Sequence, residues 1–207
     1  MVARLVSLAI GYLFGCVLVS DIVARRLTNR SAFDVGDGNP GMANVGAELG
    51  TKAALLSLAG DIAKCALAIL LSHLLFPDLG KAGLAWAGLG SVLGHDFPFW
   101  HGFRGGKGVT CVATTMILVS PLWGILAGLV GTLSILVFGY LSVGALIGMG
   151  FYCIAMLLTE STELFLISCA FFALQVYGHY SKLVGIARGT TRKASMSVKL
   201  RSLLRRK

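Results

Sequence analysis

Charge is scarce in this sequence. Only 13% of its 207 residues are Asp, Glu, Lys or Arg, and 9 acidic residues face 18 basic ones. With 56% hydrophobic residues and a mean hydropathy of +0.82, the chain is far more apolar than one soluble core of this size requires. A water-solvated globule is therefore excluded, and a bilayer is the simple alternative. Paired cysteines are missing as well. Cys16, Cys65, Cys111, Cys153 and Cys169 each lie inside an apolar run, with no pair at CxxC spacing, which argues against disulfides and metal sites and leaves small buried hydrophobes. No small-residue cleavage pattern precedes the Arg25, Arg26 and Arg30 cluster, so the apolar stretch at 5–23 is expected to stay attached as a first membrane helix. The GxxxxGK[ST] spacing is absent too, which excludes a P-loop nucleotide triphosphatase.

What is present is a series of long apolar runs. Crossing a hydrocarbon core takes about 20 apolar residues in a helix. Residues 5–24, 52–76, 81–95, 141–158 and 163–179 satisfy this approximately. The stretch 108–140 is too long for one span and is interrupted at Ser120-Pro121, where proline cannot continue a helix and disfavours helix in the residue before it. Splitting it there predicts an all-α integral membrane protein with seven transmembrane helices; five, with this stretch and one neighbour parsed differently, is the alternative. Basic residues orient it: with the N-terminus outside and the C-terminus cytoplasmic, the loops bearing Arg25, Arg26 and Arg30 and bearing Arg104 and Lys107 fall on the cytoplasmic side. The tail joins them there, since residues 182–207 hold nine of the 18 basic residues. Residues 1–189 read as a single polytopic domain and 190–207 as a basic cytoplasmic tail attracted to anionic lipid rather than to nucleic acid. Glycines inside the spans, among them Gly83, Gly88, Gly90, Gly124, Gly128, Gly131, Gly144, Gly148 and Gly150, are expected to let helices pack closely.

Two loops concentrate the polar chemistry. In Gly36-Asp37-Gly38-Asn39-Pro40-Gly41-Met42-Ala43-Asn44, successive N–H groups can converge on phosphate oxygens as a nest. The same residues also make an ordinary turn-rich loop, and the pattern alone does not choose. The second loop, Gly94-His95-Asp96-Phe97-Pro98-Phe99-Trp100-His101-Gly102-Phe103-Arg104-Gly105-Gly106-Lys107-Gly108-Val109-Thr110, sets a glycine-flanked lysine at a helix start. There the ammonium, the helix dipole and unbonded N–H groups all attract an anion. Asp61 and Lys64, three apart within a span, can pair on one helix face; such a pair serves packing or a site. Asp21 stands near the cytoplasmic end of the first span and can reach the interface. Of the histidines, His73 has no motif around it, His101 lies in the loop, and His95 and His179 stand at cytoplasmic span ends, where imidazole suits proton transfer.

These residues resemble the PlsY-type bacterial acyl-phosphate:glycerol-3-phosphate acyltransferases over nearly the whole chain to about Gly189. Residues 36–47 resemble a signature GSGNxGxxNxxR, and residues 94–110 the more specific GHxFPxFxxFxGGKGVAT. A third signature, RHxxNxxRLxxGxE, is met weakly from Gly178 and His179 to Gly189. Departures are definite: Asp37 replaces a serine and Ala47 an arginine. Lys182, Gly185 and Thr191 stand where the third signature has asparagine, arginine and glutamate, and Cys16-Val17-Leu18 replaces an early Ser-Ile-Pro. Ser142 matches a family serine, whereas Ala145 replaces a second one.

The resemblance implies transfer of an acyl group from acyl phosphate to the 1-hydroxyl of glycerol-3-phosphate, giving lysophosphatidate in a bacterial cell membrane. It further implies that membrane lipid is a partner and that neither metal nor cofactor takes part. Phosphate would be held by Gly38, Asn39, Gly41, Asn44, Arg104, Gly105, Gly106, Lys107 and Lys182, with His95, His179 and Ser142 at the chemistry. Either a histidine or substrate phosphate itself would take the hydroxyl proton. The loss of an arginine fork at Ala47 keeps two other readings open: a paralogue with a different acceptor, and a non-catalytic lipid- or phosphate-binding membrane protein.

Overall fold

A computed structural model describes residues 1–191 together with 193, 194, 197 and 198. Most of the expected basic tail, 190–207, therefore lies outside the described residues. Helices follow one another as α1 (Val2–Gly15), α2 (Val19–Thr28), α3 (Met42–Leu49), α4 (Thr51–Leu75), α5 (Gly80–Asp96), α6 (Val109–Val119), α7 (Pro121–Phe138), α8 (Leu141–Thr159) and α9 (Thr162–Ala187). Single 3-10 turns interrupt the loops at Ala32–Asp34, Pro77–Leu79 and Phe99–His101. Among the described residues five stretches are long and apolar enough to cross a membrane: Val2–Thr28, Thr51–Leu75, Pro121–Phe138, Leu141–Thr159 and Thr162–Ala187. The surface is that of a lipid-immersed protein. Leu74, Leu133, Val137 and Leu158 are exposed while Ser7, Ser57, Asp61, Lys64, Ser72 and Thr115 are buried, the reverse of the pattern water selects.

The chain divides into two compact units, Met1–Val119 and Ser120–Lys207. In the first, α1 and α5 pack along a reciprocal glycine seam. A Cβ on Gly11 or Gly15 would strike the carbonyls of Ala87 and Ser91, and one on Gly90 or Gly94 those of Leu8 and Tyr12. Both helices thus carry a GxxxG face, the arrangement that lets backbones touch in lipid. The sequence reading placed packing glycines in α5 but not Gly11 and Gly15.

The first apolar run is not the one continuous helix expected over 5–24. It breaks between Gly15 and Val19, with Leu18 in extended conformation (φ −84°, ψ 90°). No proline forces this break. The carbonyls it leaves without helical partners are bonded by side chains from elsewhere: Gly15 and Val17 by the Lys64 ammonium, Cys16 by the indole N–H of Trp100 at 3.0 Å. Without such donors a broken helix at membrane depth would be prohibitive.

In the second unit, the division expected at Ser120-Pro121 is present, and Pro121 opens α7 as its first residue. A tight corner at Gly139 (φ 89°) turns the chain into α8. There α7 and α8 pack on small residues, with Gly131 facing the carbonyl of Gly144 and the backbone of Gly148. Not every span glycine packs: Gly128 has open space where a side chain would be. Ser161 caps α9 by accepting the Leu164 N–H at 3.4 Å.

Candidate functional site

Two loops of the first unit meet at the end of α5. The ring of Phe33, from the first loop, lies 5.5 Å from that of His101 in the second. The same end carries the α1–α2 break, tied to the second loop by the Trp100 bond and by the Tyr12 hydroxyl, which donates to the Phe97 carbonyl at 2.8 Å.

Loop one is held by two side chains. Asp21 does not reach out to the interface; it is buried. One carboxylate oxygen accepts from the Ser31 hydroxyl at 2.6 Å and the Ala32 N–H at 2.8 Å, and the other from Arg25 at 2.7 Å. It thereby fixes where the loop leaves α2. The amide of Asn44 does the same inside the loop. Its oxygen accepts the Asp37 N–H at 2.9 Å, and its nitrogen donates to the carbonyls of Val35 at 2.7 Å and Asn39 at 3.0 Å. Both amide hydrogens are engaged, so Asn44 organises the loop. Asp37, in the place of the signature serine, accepts the Asn39 N–H at 3.2 Å. Gly36 (φ 57°) and Gly38 (φ 74°) make the left-handed turns, and Gly41 is the N-cap of α3. That eight-residue helix was not legible in a stretch rich in glycine and asparagine.

Loop two folds back onto α5. The Gly106 N–H donates to the His95 carbonyl at 2.9 Å. A Cβ on Gly105 would meet the carbonyls of His95 and Asp96, and one on Gly106 the His95 ring at Nε2. Gly105 and Gly106, expected to hold phosphate, owe their lack of a side chain to contact with α5 itself. Gly108 (φ 59°) turns the chain into α6. Lys107, half-buried, stands two residues before that helix, with Arg104 exposed nearby in the same loop.

Beneath the turn, His95 is buried. Its Nδ1 lies 2.8 Å from the Lys64 ammonium and 3.6 Å from Asp61, and Lys64 pairs with Asp61 at 2.9 Å. An ammonium only donates, so Nδ1 accepts and the ring proton sits on Nε2.

The remaining candidates belong to the second unit. Ser142 is buried in the first turn of α8. His179 is buried in α9, with Nδ1 2.9 Å from the Gln175 carbonyl; a carbonyl only accepts, so here Nδ1 carries the proton and Nε2 is the acceptor. Lys182 is half-buried near the end of α9, and its carbonyl accepts from the Thr191 hydroxyl at 3.0 Å. The two histidines are thus set in opposite tautomers.

Comparison with known proteins converges on one family. Residues 5–189 match the family model described as glycerol-3-phosphate acyltransferase. The chain is 39% identical to glycerol-3-phosphate acyltransferase 1 of Lactobacillus johnsonii over 70% of its own length and 69% of the relative's. To the glycerol-3-phosphate acyltransferase of a Thermoanaerobacter species it is 32% identical over 93% and 96%. Among solved structures it matches PlsY (YgiH), an integral membrane glycerol 3-phosphate acyltransferase, in its glycerol 3-phosphate form. The TM-score is 0.84 at 25% identity, covering 95% of this chain and 98% of that one.

Proposed function

This chain belongs to the glycerol-3-phosphate acyltransferase family, a multi-pass integral membrane enzyme of bacterial phospholipid synthesis, and from that premise we propose how its residues divide the work. The acyl donor is acyl phosphate and the acceptor is glycerol-3-phosphate. The acceptor 1-hydroxyl oxygen bonds to the acyl carbon, the bond from that carbon to the phosphate oxygen breaks, and lysophosphatidate and inorganic phosphate form. Because phosphate is already a competent leaving group, the protein's task is to position two anionic heads and neutralise charge.

The observation that carries this reading is the meeting of the two signature loops at one end of α5, marked by the Phe33–His101 contact. Lys107 and Arg104 supply positive charge there. Gly38, Asn39, Gly41 and the Gly105-Gly106 turn shape the backbone around the phosphates, and Asn44 acts by holding the first loop. His179, whose Nε2 accepts, suits removal of the hydroxyl proton; substrate phosphate is the other acceptor. His95, protonated on Nε2, suits donation. Ser142, His179 and Lys182 are assigned from their motif positions. Residues 1–189 act as one domain, since the family match runs across both units. Seven spans, with the N-terminus outside, place both loops and the basic tail in the cytoplasm, as the basic residues favour.

Purified protein given palmitoyl phosphate and glycerol-3-phosphate is expected to release lysophosphatidate, and the gene to restore growth to a strain lacking its own acyltransferase. Activity on another acceptor only would favour the paralogue reading prompted by Ala47. No product from any acceptor would favour a binding protein. Within an active enzyme, Asn44→Ala removes three hydrogen bonds from the first loop. It should raise the KM for glycerol-3-phosphate by roughly tenfold, the equivalent of about 1.4 kcal/mol, with a smaller effect on kcat.

A further inference from the structure

Lys64 touches more of the site's frame than an ion pair explains. Its ammonium lies 2.9 Å from Asp61 Oδ1, 2.8 Å from His95 Nδ1, 3.0 Å from the Gly15 carbonyl and 2.7 Å from the Val17 carbonyl. The three acceptors come from α5 and from the α1–α2 break, and the carboxylate that pairs with the charge comes from α4 itself. With only 5% of the side chain exposed, the ammonium depends on protein groups for its partners. Buried ion pairs alone are weak stabilisers, so a lysine placed here at membrane depth calls for a second role.

We infer that Lys64 is the positioning residue of the phosphate loop: it pins the broken first segment and locks the His95 ring beneath Gly106 in the Nε2–H tautomer. The inference rests on the acyltransferase reading above for its effect on turnover, but not for its effect on the ring. The mechanical link is short. His95 seats the turn through its carbonyl, which accepts the Gly106 N–H at 2.9 Å, and through its ring, against which Gly106 has no room for a side chain. Lys107 follows immediately. Removing Lys64 unties Nδ1, releases two break carbonyls and lets the turn carrying Lys107 shift, without removing any group that meets substrate.

The single variant Lys64→Met strands Asp61 as a buried unpaired carboxylate and is expected to accumulate poorly. The double variant Asp61→Asn/Lys64→Met removes both charges at nearly constant shape and should accumulate like the wild type. Its kcat/KM with palmitoyl phosphate and glycerol-3-phosphate is expected to fall about 100-fold, the scale of a small misplacement of reacting groups. Nitrogen-15 NMR of histidine-labelled protein, with His95→Gln to assign the signal, reads the ring directly. Wild-type His95 should show an unprotonated Nδ1 and a protonated Nε2; in the double variant that single-tautomer signature should be lost. Wild-type turnover in the double variant overturns the inference, as does a wild-type His95 protonated on Nδ1. Should the double variant fail to accumulate, the wild-type tautomer decides the matter. A wild-type protein with the expected ring but no acyl transfer would sink the acyltransferase reading and leave the Lys64–His95 lock standing.

Discussion

Lys107→Ala is expected to lower kcat/KM for acyl transfer to glycerol-3-phosphate by roughly 10- to 100-fold while the protein accumulates normally. The size follows from what a buried or half-buried ammonium contributes to a phosphate: a charge-assisted hydrogen bond amounts to about 1.5–3 kcal/mol, and each 1.4 kcal/mol is a factor of ten. Protein integrity should survive because the loop is held by other atoms. The Gly106 N–H is bonded to the His95 carbonyl, and the Val112 N–H to the Gly108 carbonyl at 2.8 Å. Lys107→Arg keeps the charge but changes a compact donor into a planar fork, so an intermediate rate is expected. A loss of less than threefold in Lys107→Ala, measured by release of inorganic phosphate, would mean that the anionic head docks elsewhere.

Gly94→Leu should be the most damaging substitution to the fold. A side chain there meets the Tyr12 carbonyl and the Cys16 nitrogen, main-chain atoms that cannot rotate away, so α1 and α5 must separate along their seam. Overpacking of this kind costs on the order of 3 kcal/mol or more, a large share of a typical folding free energy. Its position one residue before His95 means that any protein that does assemble should also be impaired in turnover. Gly128→Leu provides the contrast: that glycine is exposed with open space around it, and leucine is as apolar as lipid. Size-exclusion chromatography and thermal unfolding in detergent should find the first variant aggregated or strongly destabilised and the second like the parent. Equal behaviour of the two would show that the seam is not what holds these helices together.

The membrane class, most helices and the division at Ser120-Pro121 were legible because each depends on local composition or on one proline. The same holds for the second signature loop, whose glycines and lysine are contiguous. What escaped reading depends on partners distant in sequence. Cys16-Val17-Leu18 contains nothing that breaks helices; the break exists because Lys64 and Trp100, 47 residues beyond Val17 and 84 beyond Cys16 respectively, donate to its carbonyls. Asp21 read as an interfacial charge because Ser31 and Ala32, which it holds, return to it only after the chain turns at Asn29 (φ 56°). The two histidines carry identical motif credentials, and only their neighbours, an ammonium for one and a carbonyl for the other, give them opposite protons. Asn44 had the right chemistry for phosphate, and three contacts within its own loop were needed to reveal its present task.

The interrupted first helix also bears on how this protein is made. Residues 2–28 contain neither the lysine of α4 nor the indole of the second loop, so the segment by itself lacks both donors to its break. Hydrocarbon offers no substitute donors for three stranded carbonyls, so the break is expected to form only where those partners are already packed against it. The final geometry at the mouth of α5 is consequently a late event in assembly, completed by the last contacts rather than templated by the first.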